Sequence, residues 1–213
     1  MNAPTRASDV AYHELRDRIV DLRLPPGHPV NEIAVAAELG LSRMPVHEAV
    51  GRLAVERFIT VLPRRGSVVT ALELPDVLDL FSAREALECG IAHLAARRAT
   101  DADLARLREL VETADGARDP SDHLQFLIED YEVHAFLVAI VRSPLLWDLA
   151  ERLLLHNLRF WRSYWSTQPV HQTALISHHE MLLALESRDP DAAEEAMRAH
   201  IAGSRQLLQA SFS

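Results

Sequence analysis

Lysine is absent from this 213-residue chain; all 22 basic side chains are arginine, which we read as a bias of GC-rich coding sequence and not as a functional signal. A single cysteine, Cys89, excludes an internal disulfide and suits a reducing compartment. No apolar stretch approaches the roughly 18 residues that a membrane span needs. The N-terminal MNAPTRASDV lacks an apolar segment followed by a cleavage site, so no export signal is visible. A cytoplasmic protein with no membrane partner is therefore expected. β-branched runs are scarce and fall in one short region. What remains is ordinary for a globular chain, with 48% hydrophobic and 25% charged residues, and the length suffices for two domains that each bury a core.

The net charge of −9 speaks at first against a nucleic-acid partner. Its distribution speaks for one. Residues 1–71 hold nine Arg against eight acids (+1), whereas residues 72–213 hold thirteen Arg against 23 acids (−10). A near-neutral, Arg-bearing N-terminal part on an acidic remainder suits DNA binding at one end only.

The pattern predicts a mainly α protein. A first helix is expected from Ser8, as N-cap, to Leu22, where Leu24-Pro25-Pro26-Gly27 prevents continuation. Asn31 caps a short second helix that Gly40 stops, and Ser42 caps a third, with Pro45 tolerated in its first turn. Ile59–Leu62 and Ser67–Thr70, around Pro63-Arg64-Arg65-Gly66, read as a hairpin. Three helices, a tight Gly40-Leu41-Ser42 turn and a hairpin make a winged helix-turn-helix over residues 1–73. Residues 74–213 show no strand signal. Helices are expected over 75–98, 101–117, 121–141, 144–166, 170–188 and 190–211, an antiparallel all-α bundle of about six helices.

A recognition helix offers its first turns to base edges. Arg43 and His47, at i and i+4, share a face; Arg43 can grip guanine or a phosphate, and Ser42 can bond a phosphate. Arg64, Arg65 and Gly66 at the hairpin tip can enter or flank a minor groove. Residues 11–70 resemble the DNA-binding domain of the GntR family of bacterial repressors. The resemblance is carried by Leu24-Pro25-Pro26-Gly27, Asn31-Glu32, Ala37, Leu39 through Val50, Leu53, Glu56 and Pro63-Arg64-Arg65-Gly66. It implies double-stranded operator DNA as partner, with Ser42, Arg43, Pro45, His47, Arg64, Arg65 and Gly66 at the interface. The family pattern carries Arg where His47 stands, and often a basic residue at Ile33. A neutral imidazole makes the weaker contact, so altered or more pH-dependent operator binding is expected.

In the helical part Asp130 and His134 are four apart, on a stripe with Leu127, Leu137 and Val141. A carboxylate there is costly unless it is paired or holds a cation. His178 is expected on a helical face with Met181, Leu182 and Leu185, and His200 with Ala193, Met197 and Ile201. One Asp and three His turned inward suit Zn²⁺, Ni²⁺ or Mn²⁺. His179 is the alternative to His178, from which it is turned by about 100°; the register of the following apolar residues favours His178. His156 and His171 read as ordinary. Residues 75–211 further resemble the FCD ligand-binding domain of the FadR subfamily, through Asp130-x-x-x-His134, Ser143-Pro144-Leu145-Leu146, His178-x-x-Met181-Leu182, Asp189 and Met197-Arg198-Ala199-His200. Ser143 and Val133 depart from that pattern without removing a ligand. The resemblance implies a divalent metal on Asp130, His134, His178 and His200. It also implies a small carboxylate effector bridging the metal to Arg84, unless Arg84 instead pairs with Glu88 at i+4. Trp161, Tyr164 and Trp165 are candidates to wall the pocket.

The expected whole is a homodimer that sets two recognition helices on a near-palindromic operator, its affinity modulated by the effector. The rival reading is a helical-bundle metalloenzyme with an Asp/His₃ centre. It lacks a general base beside the ligands and leaves the N-terminal part without a purpose.

Overall fold

The structure, a computed structural model, describes residues 6–116, 123–167 and 177–210. The chain divides into two compact units, 1–73 and 74–213.

In the first unit α1 (Ala7–Val20), α2 (Glu32–Leu39) and α3 (Arg43–Val55) accompany a three-stranded antiparallel sheet. Its strands are β1 (Pro29–Val30), β2 (Ile59–Leu62) and β3 (Gly66–Val69), in the order β1-β3-β2. Ala11, Leu15 and Ile19, spaced by four, are fully buried on α1 and pack on Val46, Ala49, Val50 and Leu53 of α3. Phe58 closes the same core. Tyr12 seals its edge: its hydroxyl donates to Glu56 at 2.7 Å and the Arg52 guanidinium lies 4.0 Å over its ring.

Helix α2 begins where Asn31 Oδ1 accepts from the amides of Ile33 and Ala34, both at 3.1 Å. It ends at Gly40, whose φ of 64° is the left-handed conformation open to glycine. Three expectations change. Arg6, not Ser8, occupies the N-cap position of α1, so Ser8 lies within the first turn. Ser42 is at the N-cap of α3 but its hydroxyl makes no capping bond, which leaves it for other partners. Pro29–Val30, too short to stand out in sequence, is a third strand because Val68 and Ser67 of β3 offer it a free edge.

The second unit holds α4 (Leu74–Arg98), α5 (Asp101–Ala114), α6 (His123–Val141), α7 (Pro144–Thr167), α8 (His179–Glu186) and α9 (Pro190–Ala210). The long α4 is the central member, in contact with α6, α7, α8 and α9. Among the described residues no helix is long and apolar enough to cross a membrane. The ends expected at Ala117, Ser121, Val170 and Ser211, and His171, lie outside the described residues. The α5 start is a capping box: Asp103 N donates to Thr100 Oγ1 at 3.2 Å and Thr100 N to Asp103 Oδ2 at 2.7 Å. The Arg142 hydrogen bond, then the Thr100 amide, bring the Asp103 carboxyl down to about 2. A lowered carboxyl stabilises the fold above its unfolded value near 3.8, and this is lost as the pH falls towards 2. Thr100→Ala is expected to cost about 1 kcal/mol. Thermal unfolding at pH 7 should then show a midpoint lower by about 2–4 °C. Asp103→Ala should behave alike at pH 7 and fall no further behind its parent on acidification.

Candidate functional site

Two groups of side chains carry chemistry, one in each unit. In the first, α3 presents Ser42, Arg43, Met44 and His47 outward, with Pro45 half-buried in the first turn and Val46 turned into the core. Glu32, at the start of α2, braces this face: both its oxygens stand 3.2 Å from His47 Nδ1, and Oε2 stands 3.5 Å from Arg43 Nε. Glu32 was legible only as part of a family pattern, since nothing in the spacing reveals a contact across fifteen residues. Arg64, Arg65 and Gly66 are exposed at the hairpin tip, where the Arg65 amide closes the turn on Leu62 O at 3.0 Å. Gly66 has φ 89°, and Arg64 is itself left-handed at φ 63°, a conformation uncommon for a residue with a side chain.

The second group lies inside the helical unit. Asp130, His134, His178 and His200 each offer one donor atom, and the four atoms fall within 4.8 Å of one another. His134 and Asp130 come from successive turns of α6, and His200 from α9. His178 departs from expectation: it is the residue preceding α8, at its N-cap position, and not on a face of that helix. It is nonetheless fully buried, whereas His179 is exposed. As it enters the helix the chain turns the His178 ring inward and the His179 ring outward.

The three rings share an orientation. Nε2 of His134 faces Nε2 of His200 at 3.2 Å, and Asp130 Oδ1 lies 3.2, 3.8 and 3.9 Å from Nε2 of His178, His200 and His134. Each Nδ1 is engaged elsewhere: His134 with Glu88 at 2.5 Å, His178 with Asp115 at 3.0 Å, and His200 with Ser177 O at 3.4 Å. Since carboxylates and carbonyls only accept, Nδ1 carries a proton on each ring and the three Nε2 atoms are turned towards one carboxylate oxygen, where their lone pairs would be available to a cation once the Nε2 protons are displaced. Donor atoms about 2.0–2.2 Å from one cation stand roughly 3–4 Å apart, and the separations of 3.2–3.9 Å above fall in that range, within a cluster no wider than 4.8 Å. The donor set fits a borderline divalent cation.

The electrostatics are those of a buried network. Burial alone raises the Asp130 carboxyl, but the His178 hydrogen bond and the three nearby imidazoles overcome this and hold it well below the usual carboxylate range. Glu88 behaves likewise: burial raises it, Arg84 and His134 outweigh burial, and it rests at about 2. Burial lowers His178, yet Asp115 and Asp130 lift it to about 9. Burial, then the neighbouring His178 and His134, push His200 down to about 3. Proton and cation compete for the same lone pairs, so a cation held by these donors would bind less tightly on acidification.

Arg84 is buried with its Nε 2.6 Å from Glu88 Oε1 and its Nη2 3.3 Å from Oε2. Of the two roles open in the sequence, the i+4 ion pair is therefore formed. Trp161 meets Tyr164 and Trp165, and these three rings pack edge-on or tilted against Phe81, Phe126 and Phe160, a continuous aromatic cluster spanning α4, α6 and α7. Two residues of this site were missed in sequence, Asp115 and, as a partner of His134, Glu88. Neither has a helical spacing to the histidine it holds.

A winged helix-turn-helix on a helical unit with a buried donor cluster is the build of a transcription regulator. Comparison with known proteins agrees. Residues 7–69 match the family described as bacterial regulatory proteins, gntR family, and residues 79–203 match the FCD domain. The chain is 30% identical over 203 residues to the HTH-type transcriptional repressor RspR of Escherichia coli K12, covering 94% of this chain and 88% of that protein. It is 33% identical over 176 residues to the Nta operon transcriptional regulator of Aminobacter aminovorans, covering 82% of each. E. coli McbR/YncC has the same fold, with a TM-score of 0.83 over 99% of this chain and 100% of that one at 20% identity. A GntR regulator from Rhodococcus sp. RHA1 gives 0.75 over 97% and 99% at 23% identity. The chain belongs to the GntR family of transcriptional regulators and carries its FCD domain; it is a regulator and not an enzyme.

Proposed function

We propose that this protein is a repressor whose hold on a near-palindromic operator is modulated by a small organic acid bound at a metal in the helical unit. The observation that carries this is the convergence of three Nε2 atoms and Asp130 Oδ1 inside a unit fused to a DNA reader. Asp130, His134, His178 and His200 hold the cation, which Zn²⁺, Ni²⁺ or Mn²⁺ would suit. Four protein ligands leave a five- or six-coordinate ion open to water or an effector carboxylate. Arg84, with Nε and Nη2 committed to Glu88, orients that carboxylate only through what remains of its guanidinium.

On the DNA side, a homodimer sets α3 of each subunit in successive major grooves. Arg43 makes the strongest base or phosphate contact, Ser42 and His47 flank it, Pro45 shapes the first turn, and Arg64, Arg65 and Gly66 approach the backbone or minor groove. Effector binding changes operator affinity because the effector prefers one arrangement of the two heads.

The experiment is a gel shift on the region upstream of the protein's own gene, with metal-loaded and chelator-treated protein, with and without a panel of small organic acids. Retarded DNA released by one acid only in the metal-loaded sample is the expected result. Release by metal alone would make the cation itself the signal. No retardation at low or moderate salt would sink the reading. Arg43→Ala is expected to cost about 1–3 kcal/mol per half-site. That corresponds to roughly a 5- to 150-fold loss of affinity.

A further inference from the structure

Asp115 belongs to neither of the two sets of residues assigned above. It terminates α5, a helix that supplies no donor to the cluster. Its backbone is exposed while its side chain keeps 19% of its surface open, and its two oxygens gather the short segment that leads into α8. Oδ1 stands 3.0 Å from His178 Nδ1; Oδ2 accepts from the His178 amide at 2.9 Å and from the Ser177 hydroxyl at 2.6 Å. Ser177 in turn directs its carbonyl at His200 Nδ1, 3.4 Å away. One carboxylate thus fixes the ring of one histidine directly and, through the residue before it, the acceptor of a second.

We propose that Asp115 is the positioning residue of the metal centre. It holds the His178 ring with Nδ1 on its own carboxylate and Nε2 turned inward, and it sets the Ser177 carbonyl that orients the His200 ring in the same way. The inference rests on the metal reading of Asp130, His134, His178 and His200. A histidine ligand whose outer nitrogen donates to a carboxylate is the stronger ligand, and loss of such a partner costs about 10–100-fold in metal affinity. Asp115 bears on two of the three histidines, on His178 directly and on His200 through Ser177, while Glu88 bears only on His134.

The test uses the full-length protein stripped of metal, titrated with Zn²⁺ against a chromophoric chelator, and with Co²⁺ to record its d–d absorption. Asp115→Asn keeps an acceptor but removes the charge, and Asp115→Ala removes both. We expect graded losses of Zn²⁺ affinity, about 10-fold and about 100-fold, together with a changed Co²⁺ spectrum. If both variants bind Zn²⁺ as the parent does and give the parent's Co²⁺ spectrum, differing only in the midpoint of metal-free unfolding, Asp115 is merely a cap and the proposal is wrong. Asp130→Ala run alongside separates the two failures. If it too binds like the parent, the metal reading itself is at fault and this inference goes with it.

Discussion

Glu88→Ala is expected to destabilise the helical unit by about 3–5 kcal/mol, the range found when one partner of a buried ion pair is removed. Both side chains of the pair are enclosed, with 2% and 3% of their surface exposed for Arg84 and Glu88. Truncating Glu88 strands the guanidinium without its counter-charge in a place water does not reach. It also removes the acceptor of His134 Nδ1, a second buried group left wanting. Urea unfolding of the metal-free variant measures the loss, and thermal unfolding should show a midpoint lower by about 6–20 °C. A loss below about 1 kcal/mol would mean that the pair is solvated, contrary to its burial. Removing both charges, by Arg84→Met with Glu88→Gln, should cost less than Glu88→Ala alone, because no charge is then stranded.

Asp130→Ala carries the second large effect, on metal binding. Asp130 is the only anion among the four inward donors, and its Oδ1 lies within 3.9 Å of all three Nε2 atoms. Without it three imidazoles remain and no anionic ligand touches the cation directly. Losing the ligand itself should cost more than losing a ligand's partner, so an affinity drop beyond about 100-fold is expected. Zn²⁺ at about 100 times the parent's Kd should stabilise the parent by about 2.7 kcal/mol and the variant hardly at all. Calorimetric scans with and without Zn²⁺ read this directly. Equal stabilisation of both proteins would remove Asp130 from the site. In gel shifts the variant should still bind operator while its response to the organic acid disappears.

The two halves of the protein were unequally open to reading from sequence. The DNA reader is built from contacts close in the chain. Asn31 caps two and three residues on, Gly40 ends α2 where a left-handed residue is needed, and the hairpin spans only 59–69. Such signals are local, so patterns of residues reveal them. The brace from Glu32 to His47 is not local, and only packing α2 against α3 creates it. In the helical unit, the 3.6-residue stripe on α6 pointed to Asp130 and His134 because a charge on an apolar face is itself a sequence signal. His178 was found with the wrong reason attached: it turns inward from the N-cap position, not from a helical face.

By itself the sequence indicated the helices, the β2–β3 hairpin and a division near residue 73, and its family resemblance pointed to the four inward donors. The first three rest on propensity and periodicity, and Asp130 and His134 also on a polar group too costly to bury alone. Tertiary structure decided the rest: which nitrogen of each imidazole faces the centre, that Glu88 holds both Arg84 and His134, and that Asp115 holds His178 from 63 residues away. Hydrogen bonds between distant segments leave no spacing in the chain, because their geometry exists only after the helices have packed.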